Sequence, residues 1–169
     1  MLQTVTTLKT LAPFTVLICD DRDDNIRQIS ALSQLLGCHV TTAINGQEAV
    51  EYCQNQKFDA ILMDLVMPGM SGLEAARAIH SAESPNKATP IIAVTADEDP
   101  IVKAGCSSFG IDYYMTKPIE ESTLHRILSE CQAKLWTKTI GAVEVSAMIP
   151  PRLIVESEIR HAVSIDPAA

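Results

Sequence analysis

The stretch Ala60–Glu74, AILMDLVMPGMSGLE, decides the fold, because it joins an apolar run, an acidic residue, a turn and a helix start. The run Asp59–Met63 is almost continuously apolar, which is typical of a central strand of a parallel sheet. Asp64 follows directly, and the loop Val66–Met70 contains a proline and a glycine, which favour a turn. A helix is predicted from Ser71, because a serine followed by a glutamate three residues later resembles a capping box. The stretch therefore predicts a strand–loop–helix unit with a carboxylate at the end of the strand.

The same alternation of apolar runs and amphipathic stretches extends in both directions from this unit. The predicted strands are Thr15–Cys19, His39–Ile44, Asp59–Met63, Pro90–Val94 and Asp112–Thr116. The predicted helices are Asn25–Leu36, Gln47–Gln54 after a turn at Asn45-Gly46, a segment from Ser71, a weak Asp99–Ser108, and Glu120–Lys138. Strand–helix units in series predict an α/β fold, a doubly wound five-stranded parallel sheet with helices on both faces.

The ends of the predicted strands carry the candidate functional residues. Asp20 and Asp21 follow the first strand, and Asp64 follows the third. Thr95 ends the fourth strand, and Lys117 follows the fifth. Ligands of open parallel sheets bind beyond the carboxyl ends of the strands. We therefore expect these side chains to converge at one edge of the sheet.

Three carboxylates in one crevice repel one another, so a cation is expected to neutralise them. Mg²⁺ fits this environment, because it prefers carboxylates, water and phosphate oxygens in octahedral geometry. The predicted ligands are Asp20, Asp21 and Asp64, with the backbone carbonyl of Val66 completing the shell. For Asp20 or Asp21 alone, capping of a helix is an alternative explanation.

Composition excludes several classes of function. The net charge of −8 argues against nucleic-acid binding, which needs clustered Lys and Arg, and against docking on an anionic membrane. No apolar run is long enough to span a bilayer, and Met1–Pro13 does not have the pattern of a secretory signal. The cysteines are scattered without a C-x-x-C pair, which predicts reduced, mostly buried thiols in a cytoplasmic protein.

Several separated motifs, in order and suitably spaced, resemble the receiver domain of bacterial response regulators, most closely the receivers of hybrid sensor kinases. The matching segments are Val16–Asp21, Asn25, Asn45–Ala49, Ala60–Glu74, Ile91–Asp97 and Tyr113–Ile119. The resemblance covers about Phe14 to Lys138 and implies the flavodoxin-like receiver fold. It also implies a cis peptide bond between Lys117 and Pro118.

The resemblance implies a role for each candidate residue. Asp64 matches the nucleophile that becomes an aspartyl phosphate, and Asp20 and Asp21 match the acidic pair that holds Mg²⁺, with Asp21 the direct ligand of the two. Lys117 matches the lysine that bridges the nucleophile and the incoming phosphoryl group. Thr95 matches the hydroxyl that hydrogen-bonds the phosphoryl group. Tyr114 matches the aromatic switch residue, which moves inward when Thr95 is engaged.

The implied function is acceptance of a phosphoryl group from a sensor histidine kinase or a histidine phosphotransfer protein, followed by binding to a downstream protein. The implied catalysis is limited to the receiver's own phosphorylation and dephosphorylation. A phosphorelay intermediate, a phosphate sink and a phosphorylation-independent binding module remain alternatives. A dehalogenase-type phosphatase is disfavoured, because such enzymes carry a second acidic residue where this chain has Val66.

Two residues depart from the family pattern. Val66 lies two residues after Asp64, where a side chain flanks the water that hydrolyses the aspartyl phosphate. Because an apolar side chain cannot orient that water, we expect slow self-dephosphorylation. In the family, the position of the acidic Asp97, two residues after Thr95, flanks the same water. Arg22 replaces an asparagine that is usual in hybrid-type receivers, and it places a cation beside the metal pocket or in a solvated loop.

The chain divides into an arm at 1–13, the receiver at 14–138 and a C-terminal extension at 139–169. Alternating apolar residues across 143–149 predict a strand in the extension, before Pro150-Pro151 interrupts it. Such a segment suits a strand-forming or dimerisation arm, which would make the protein a homodimer. Packing against its own receiver and remaining mobile are the alternatives. A stand-alone regulator and a receiver detached from a hybrid kinase both remain open, and Met1 and the extension favour the stand-alone regulator.

Overall fold

The computed structural model describes residues 13–81, 83–96 and 100–140. The strands are β1 (Thr15–Cys19), β2 (His39–Ala43), β3 (Ala60–Met63), β4 (Ile91–Thr95) and β5 (Tyr113–Thr116). The helices are α1 (Asp23–Leu35), α2 (Gly46–Asn55), α3 (Gly72–Ile79), α4 (Pro100–Cys106) and α5 (Glu121–Ile140), and a 3₁₀ turn at Ser107–Phe109 follows α4.

The strands form one parallel sheet in the order β2-β1-β3-β4-β5. Alternate side chains along each strand point to opposite faces. Leu17 and Ile61 pack with α2 and α3, and Val16 and Leu62 pack with α1 and α5. The sheet is therefore buried on both faces, and the predicted doubly wound α/β fold is confirmed.

Several predicted boundaries differ from the structure. α1 begins at Asp23 instead of Asn25, because two aspartates occupy its first turn, where negative charge is favourable. The predicted turn at Asn45-Gly46 is instead a helix start, since the Asn45 side chain accepts a hydrogen bond of 2.8 Å from the Glu48 N–H. Both ends of β1 are as predicted, and the other strand and helix ends lie within two residues of their predicted positions.

The segment Ala60–Glu74 forms the predicted strand–loop–helix unit. Ser71 and Glu74 form a complete capping box at the start of α3. α4 is short and gives way to the 3₁₀ turn, in keeping with the low helix propensity of its Gly105 and the serines that follow. This short element lies between β4 and β5.

Most of the two predicted terminal segments, the arm at 1–13 and the extension at 139–169, lies outside the residues that the structure describes. α5 continues through Ile140, two residues past the predicted receiver boundary at 138. The predicted strand across 143–149, the dimerisation arm and nearly all of the N-terminal arm lie outside the described residues.

The cysteines are free and buried, as predicted: Cys19, Cys38, Cys53, Cys106 and Cys131. Burial raises the pKa of Cys19 and of Cys53 to about 12. Because the thiolate is the reactive form, these groups are inert core residues.

Candidate functional site

The acidic centre forms where β1 and β3 end side by side. Cys19 pairs with Met63 in the sheet, so the next residues, Asp20 and Asp64, emerge as neighbours. The Asp64 N–H donates a hydrogen bond of 2.9 Å to the Cys19 carbonyl, which continues the ladder for one more residue. Asp20 is fully buried, Asp64 is nearly so, and Asp21 is exposed. One ligand oxygen from each of these three aspartates lies within 4.8 Å of the others.

Asp20 is surrounded by donors. Its Oδ1 accepts hydrogen bonds from the Arg22 N–H at 3.0 Å and from Asn25 Nδ2 at 2.9 Å. Its Oδ2 accepts from Asn25 Nδ2 at 3.1 Å and from Lys117 Nζ at 2.5 Å. A buried carboxylate needs such partners, since an unpaired one would be expelled or protonated.

Lys117 directly follows β5, an edge strand of the sheet, and its side chain reaches the acidic centre. Its backbone N–H donates a hydrogen bond of 2.9 Å to the Thr95 carbonyl. The peptide bond between Lys117 and Pro118 is cis, as the resemblance implies. The ammonium lies 2.5 Å from Oδ2 of Asp64 and 2.5 Å from Oδ2 of Asp20. One cation therefore bridges two buried carboxylates.

Burial and charge set the protonation of this centre. Burial raises the pKa of Asp64, and the hydrogen bonds from Lys117 and from the Val66 N–H lower it. The charge of Asp20 raises it again, and the pKa of Asp64 lies above its ordinary value. Burial lowers the pKa of Lys117, but its two carboxylate partners outweigh that effect and raise it. Because one lysine serves two carboxylates, each is only partly neutralised, and a further cation would be stabilised here.

Thr95 and Tyr114 lie where the sequence places them. Thr95 ends β4 and is almost fully buried. Tyr114 lies on the neighbouring β5, opposite Ala93, and is partly buried against the core. The Lys103 ammonium from α4 lies 5.5 Å from the centre of the Tyr114 ring. This geometry brings the switch candidate into contact with the short helix.

Val66 and Gly72 shape the loop after β3. The Val66 N–H donates a hydrogen bond of 3.0 Å to Oδ1 of Asp64, and Val66 is 68% exposed to solvent. The Gly72 N–H donates a hydrogen bond of 3.1 Å to the Leu65 carbonyl. A Cβ atom added at Gly72 would lie 2.0 Å from the Asp64 carbonyl oxygen. Only glycine therefore lets α3 begin this close to the acidic centre.

The donor set fits a hard divalent cation. The side chains of Asp20, Asp21 and Asp64 offer only oxygens, and the Val66 carbonyl is close in sequence. Magnesium prefers this chemistry, with the remaining positions taken by water or phosphate oxygens. Among the residues the structure describes, this is the group of acidic, histidine or cysteine side chains that could hold a metal ion.

Two residues that shape the site had no role assigned from the sequence. Asn25 is part of a matched motif, and its position early in α1, four residues after Asp21, is the signal that would have brought it to the carboxylates. Gly72 follows a capping serine, where glycine is not required by helix capping. The close approach of α3 to the end of β3 is a tertiary feature, and no local pattern announces it.

Comparison with known proteins then decides the family. The family model described as response regulator receiver domain matches residues 16–129. The chain belongs to this family. It is therefore a receiver domain of two-component systems, and the resemblance inferred from the motifs is confirmed. Receiver domains interact with histidine kinases or phosphotransfer proteins.

This receiver is 40% identical over 114 residues to the signal transduction histidine-protein kinase BarA of Escherichia coli, covering 68% of this chain and 12% of BarA. The protein PilH of Pseudomonas aeruginosa is 32% identical, covering 68% of this chain and 93% of PilH. The receiver domain of a sensor histidine kinase of P. aeruginosa PAO1 was solved with a magnesium ion coordinated in its active site cleft. It has a TM-score of 0.65 at 34% identity, covering 70% of this chain and 97% of that one.

The chain spans about an eighth of the length of the BarA kinases, to which it matches a single segment. Across the described ranges, none of the helices combines the length and apolarity that crossing a bilayer demands.

Proposed function

We propose that this receiver accepts a phosphoryl group on Asp64 from a phosphohistidine of a partner protein, with Mg²⁺ bound beside it. The observation that carries this proposal is the Lys117 ammonium, 2.5 Å from Oδ2 of both Asp20 and Asp64 at the edge where the strands end. The donor would be a sensor histidine kinase or a histidine phosphotransfer protein, as expected for the family.

The transfer requires a positioned nucleophile and cationic stabilisation of the phosphoryl oxygens. A carboxylate oxygen of Asp64 would form the new O–P bond while the N–P bond of the phosphohistidine breaks. The imidazole leaves with the bonding electron pair and takes up a proton. The Val66 N–H on Oδ1 and Lys117 on Oδ2 fix the plane of the Asp64 carboxylate before the donor arrives.

Asp20, Asp21, Asp64 and the carbonyl of Val66 would hold Mg²⁺. The ion supplies charge stabilisation to the phosphoryl oxygens when bound. Lys117 supplies a second cation, and the Thr95 hydroxyl supplies a hydrogen bond. The receiver thereby catalyses only its own phosphorylation and dephosphorylation.

The signal would leave through α4 and β5. A phosphoryl group that engages Thr95 would draw the end of β4 inward and open space for Tyr114. Movement of Tyr114 would change its contact with Lys103, which lies over the ring. Because α4 is short and ends in a 3₁₀ turn, its rearrangement costs little. A downstream protein that binds the altered surface more tightly would then shift the receiver population toward that conformation.

A role as a phosphorelay intermediate is a second candidate, favoured by Val66. An apolar, 68% exposed side chain beside Asp64 cannot orient a hydrolytic water, so the aspartyl phosphate would be long-lived. A long-lived aspartyl phosphate suits onward transfer to a second histidine. Recovery of the phosphoryl group on an added phosphotransfer protein distinguishes this role from terminal signalling.

Labelling tests the proposed function. The receiver is incubated with acetyl phosphate or a phosphorylated histidine kinase, with Mg²⁺ or with EDTA, and its intact mass is measured. One phosphoryl group is expected in Mg²⁺ and none in EDTA. Asp64→Asn should abolish labelling, whereas Asp24→Asn, an exposed acid in the first turn of α1, should not. Labelling of Asp64→Asn at the wild-type rate would refute Asp64 as the acceptor.

A further inference from the structure

Asn25 lies near the start of α1, and its side chain is neither a proposed Mg²⁺ ligand nor a group that acts on the phosphoryl oxygens. We infer that Asn25 is a positioning residue for phosphoryl transfer, which holds the Asp20 carboxylate and, through it, Lys117. This inference rests on the proposed function of Asp64. It concerns a residue that would touch neither the phosphoryl group nor the nucleophile, and its effect is transmitted by Asp20.

The Asn25 amide contacts both oxygens of the Asp20 carboxylate. A single amide nitrogen, Nδ2, donates to Oδ1 at 2.9 Å and to Oδ2 at 3.1 Å. A donor that spans both oxygens fixes the plane of the carboxylate as well as its position. The Arg22 N–H and Lys117 Nζ supply one further bond to each oxygen. Each oxygen has two lone pairs, so Asp20 has its full complement of hydrogen bonds.

Burial makes this complement important. Asp20 is fully buried, so water cannot replace a donor that is lost. Without the Asn25 amide, each oxygen of Asp20 keeps one protein donor, and the plane of the carboxylate is held less firmly. Lys117 would then follow the less satisfied Asp20 at the expense of Asp64, since its ammonium is shared between the two.

Two opposite effects follow for Asn25→Ala. An under-satisfied Asp20 destabilises the metal-free protein more than the metal-bound one, so Mg²⁺ should bind more tightly. Transfer depends on the placement of Lys117 beside Asp64, so labelling at saturating Mg²⁺ should be slower. Because a hydrogen bond to a charged group is worth about one to two powers of ten in an equilibrium constant, we expect a change of about tenfold in each quantity.

The experiment compares wild type, Asn25→Ala, Asn25→Asp and Gln28→Ala. Gln28 is the matched control, because it lies on the same helix and lines the same groove as Asn25, Lys117 and Pro118. Calorimetric titration gives the Mg²⁺ affinity, and labelling by acetyl phosphate at saturating Mg²⁺ gives the maximal rate and the half-saturating donor concentration. Acetyl phosphate is the chosen donor because it does not need a protein docking surface.

Asn25→Ala should bind Mg²⁺ about tenfold more tightly and reach a maximal rate about tenfold lower, with an unchanged half-saturating donor concentration. Gln28→Ala should match wild type in all three. If the alanine variant does not fold, Asn25→Asp replaces it in the experiment, because aspartate has nearly the same side-chain volume as asparagine. Its second carboxylate should give tighter Mg²⁺ binding and a slower maximal rate in the same way.

The outcomes separate the two proposals. A merely structural role for Asn25 would weaken Mg²⁺ binding and labelling together, and that result, or no change in either, overturns the inference. If wild type accepts no phosphoryl group from any donor, the proposed function fails. The Mg²⁺ affinities of the variants then still decide whether Asn25 controls Asp20.

Discussion

Replacing Lys117 with methionine removes the cation that Asp20 and Asp64 share while keeping a side chain of similar length. The side chains of Lys117, Asp20 and Asp64 are 16%, 1% and 8% exposed, so solvent screens them weakly. Removing one partner of a buried ion pair costs about 3–5 kcal/mol, because the other charge stays buried without compensation. Here two carboxylates would be left facing each other. The metal-free variant should therefore lose about 3–5 kcal/mol of unfolding free energy.

Urea unfolding followed by circular dichroism measures this loss. With a slope of about 2 kcal/mol per molar urea, the midpoint in EDTA should fall by about 2 M. In saturating Mg²⁺ the fall should be much smaller, because the metal ion neutralises the same carboxylates and stabilises the folded state in proportion to its occupancy. The Mg²⁺-induced rise in midpoint should therefore be larger for Lys117→Met than for wild type.

A double-variant cycle isolates the cause. In an Asp20→Asn background, Asp64 is the one carboxylate of this ion pair that remains beside Lys117, so Lys117→Met should cost less there than in wild type by about 1–3 kcal/mol. The reasoning is refuted if Lys117→Met costs under about 1 kcal/mol in EDTA. An equal loss in EDTA and in Mg²⁺ would also refute it, since the damage would then lie outside the electrostatics of the centre.

The pKa of Asp64 is raised in the folded state above its ordinary value of 3.8, so the metal-free protein loses stability as the pH rises through that raised pKa. Asp64→Asn should match wild type at lower pH and become relatively more stable above it, as urea unfolding in EDTA will show. Val66→Asn should shorten the lifetime of the aspartyl phosphate several-fold, measured by loss of labelled mass after donor removal. Gly72→Ala should lower the unfolding free energy by more than about 2 kcal/mol, since its Cβ would lie 2.0 Å from the Asp64 carbonyl oxygen.

Each of these has a matched control. Asp24→Asn is the control for Asp64→Asn, because Asp24 is an exposed acid at the start of α1. Val66→Ala should leave the lifetime long, since alanine orients water no better than valine does. Gly105→Ala should be neutral or stabilising, because nothing lies within 4 Å of its Cβ position and it is in a helix. A pH-independent difference for Asp64→Asn, an unchanged lifetime for Val66→Asn, or a Gly72→Ala protein as stable as Gly105→Ala would contradict the respective prediction.

The elements of the fold were largely readable from periodicity. Continuous apolar runs such as Thr15–Cys19 read as strands because central parallel strands are buried on both faces. The start of α2 was misread, since Asn45-Gly46 is as typical of a turn as of a capped helix. The side chain of Asn45 decides between them through a bond to the Glu48 N–H. Local sequence patterns therefore predict the ends of helices and strands less accurately than they predict which segments are helices and which are strands.

The sequence by itself determined the parallel α/β class and the edge at which Asp20, Asp21, Asp64, Thr95 and Lys117 gather, because the carboxyl ends of parallel strands share one edge. Only the tertiary structure decided how those groups are paired. A lysine after β5 bridges carboxylates after β1 and β3, and an asparagine on α1 spans both oxygens of Asp20. Such contacts join residues far apart in the chain, and their distances depend on strand order and helix packing, which no local pattern encodes.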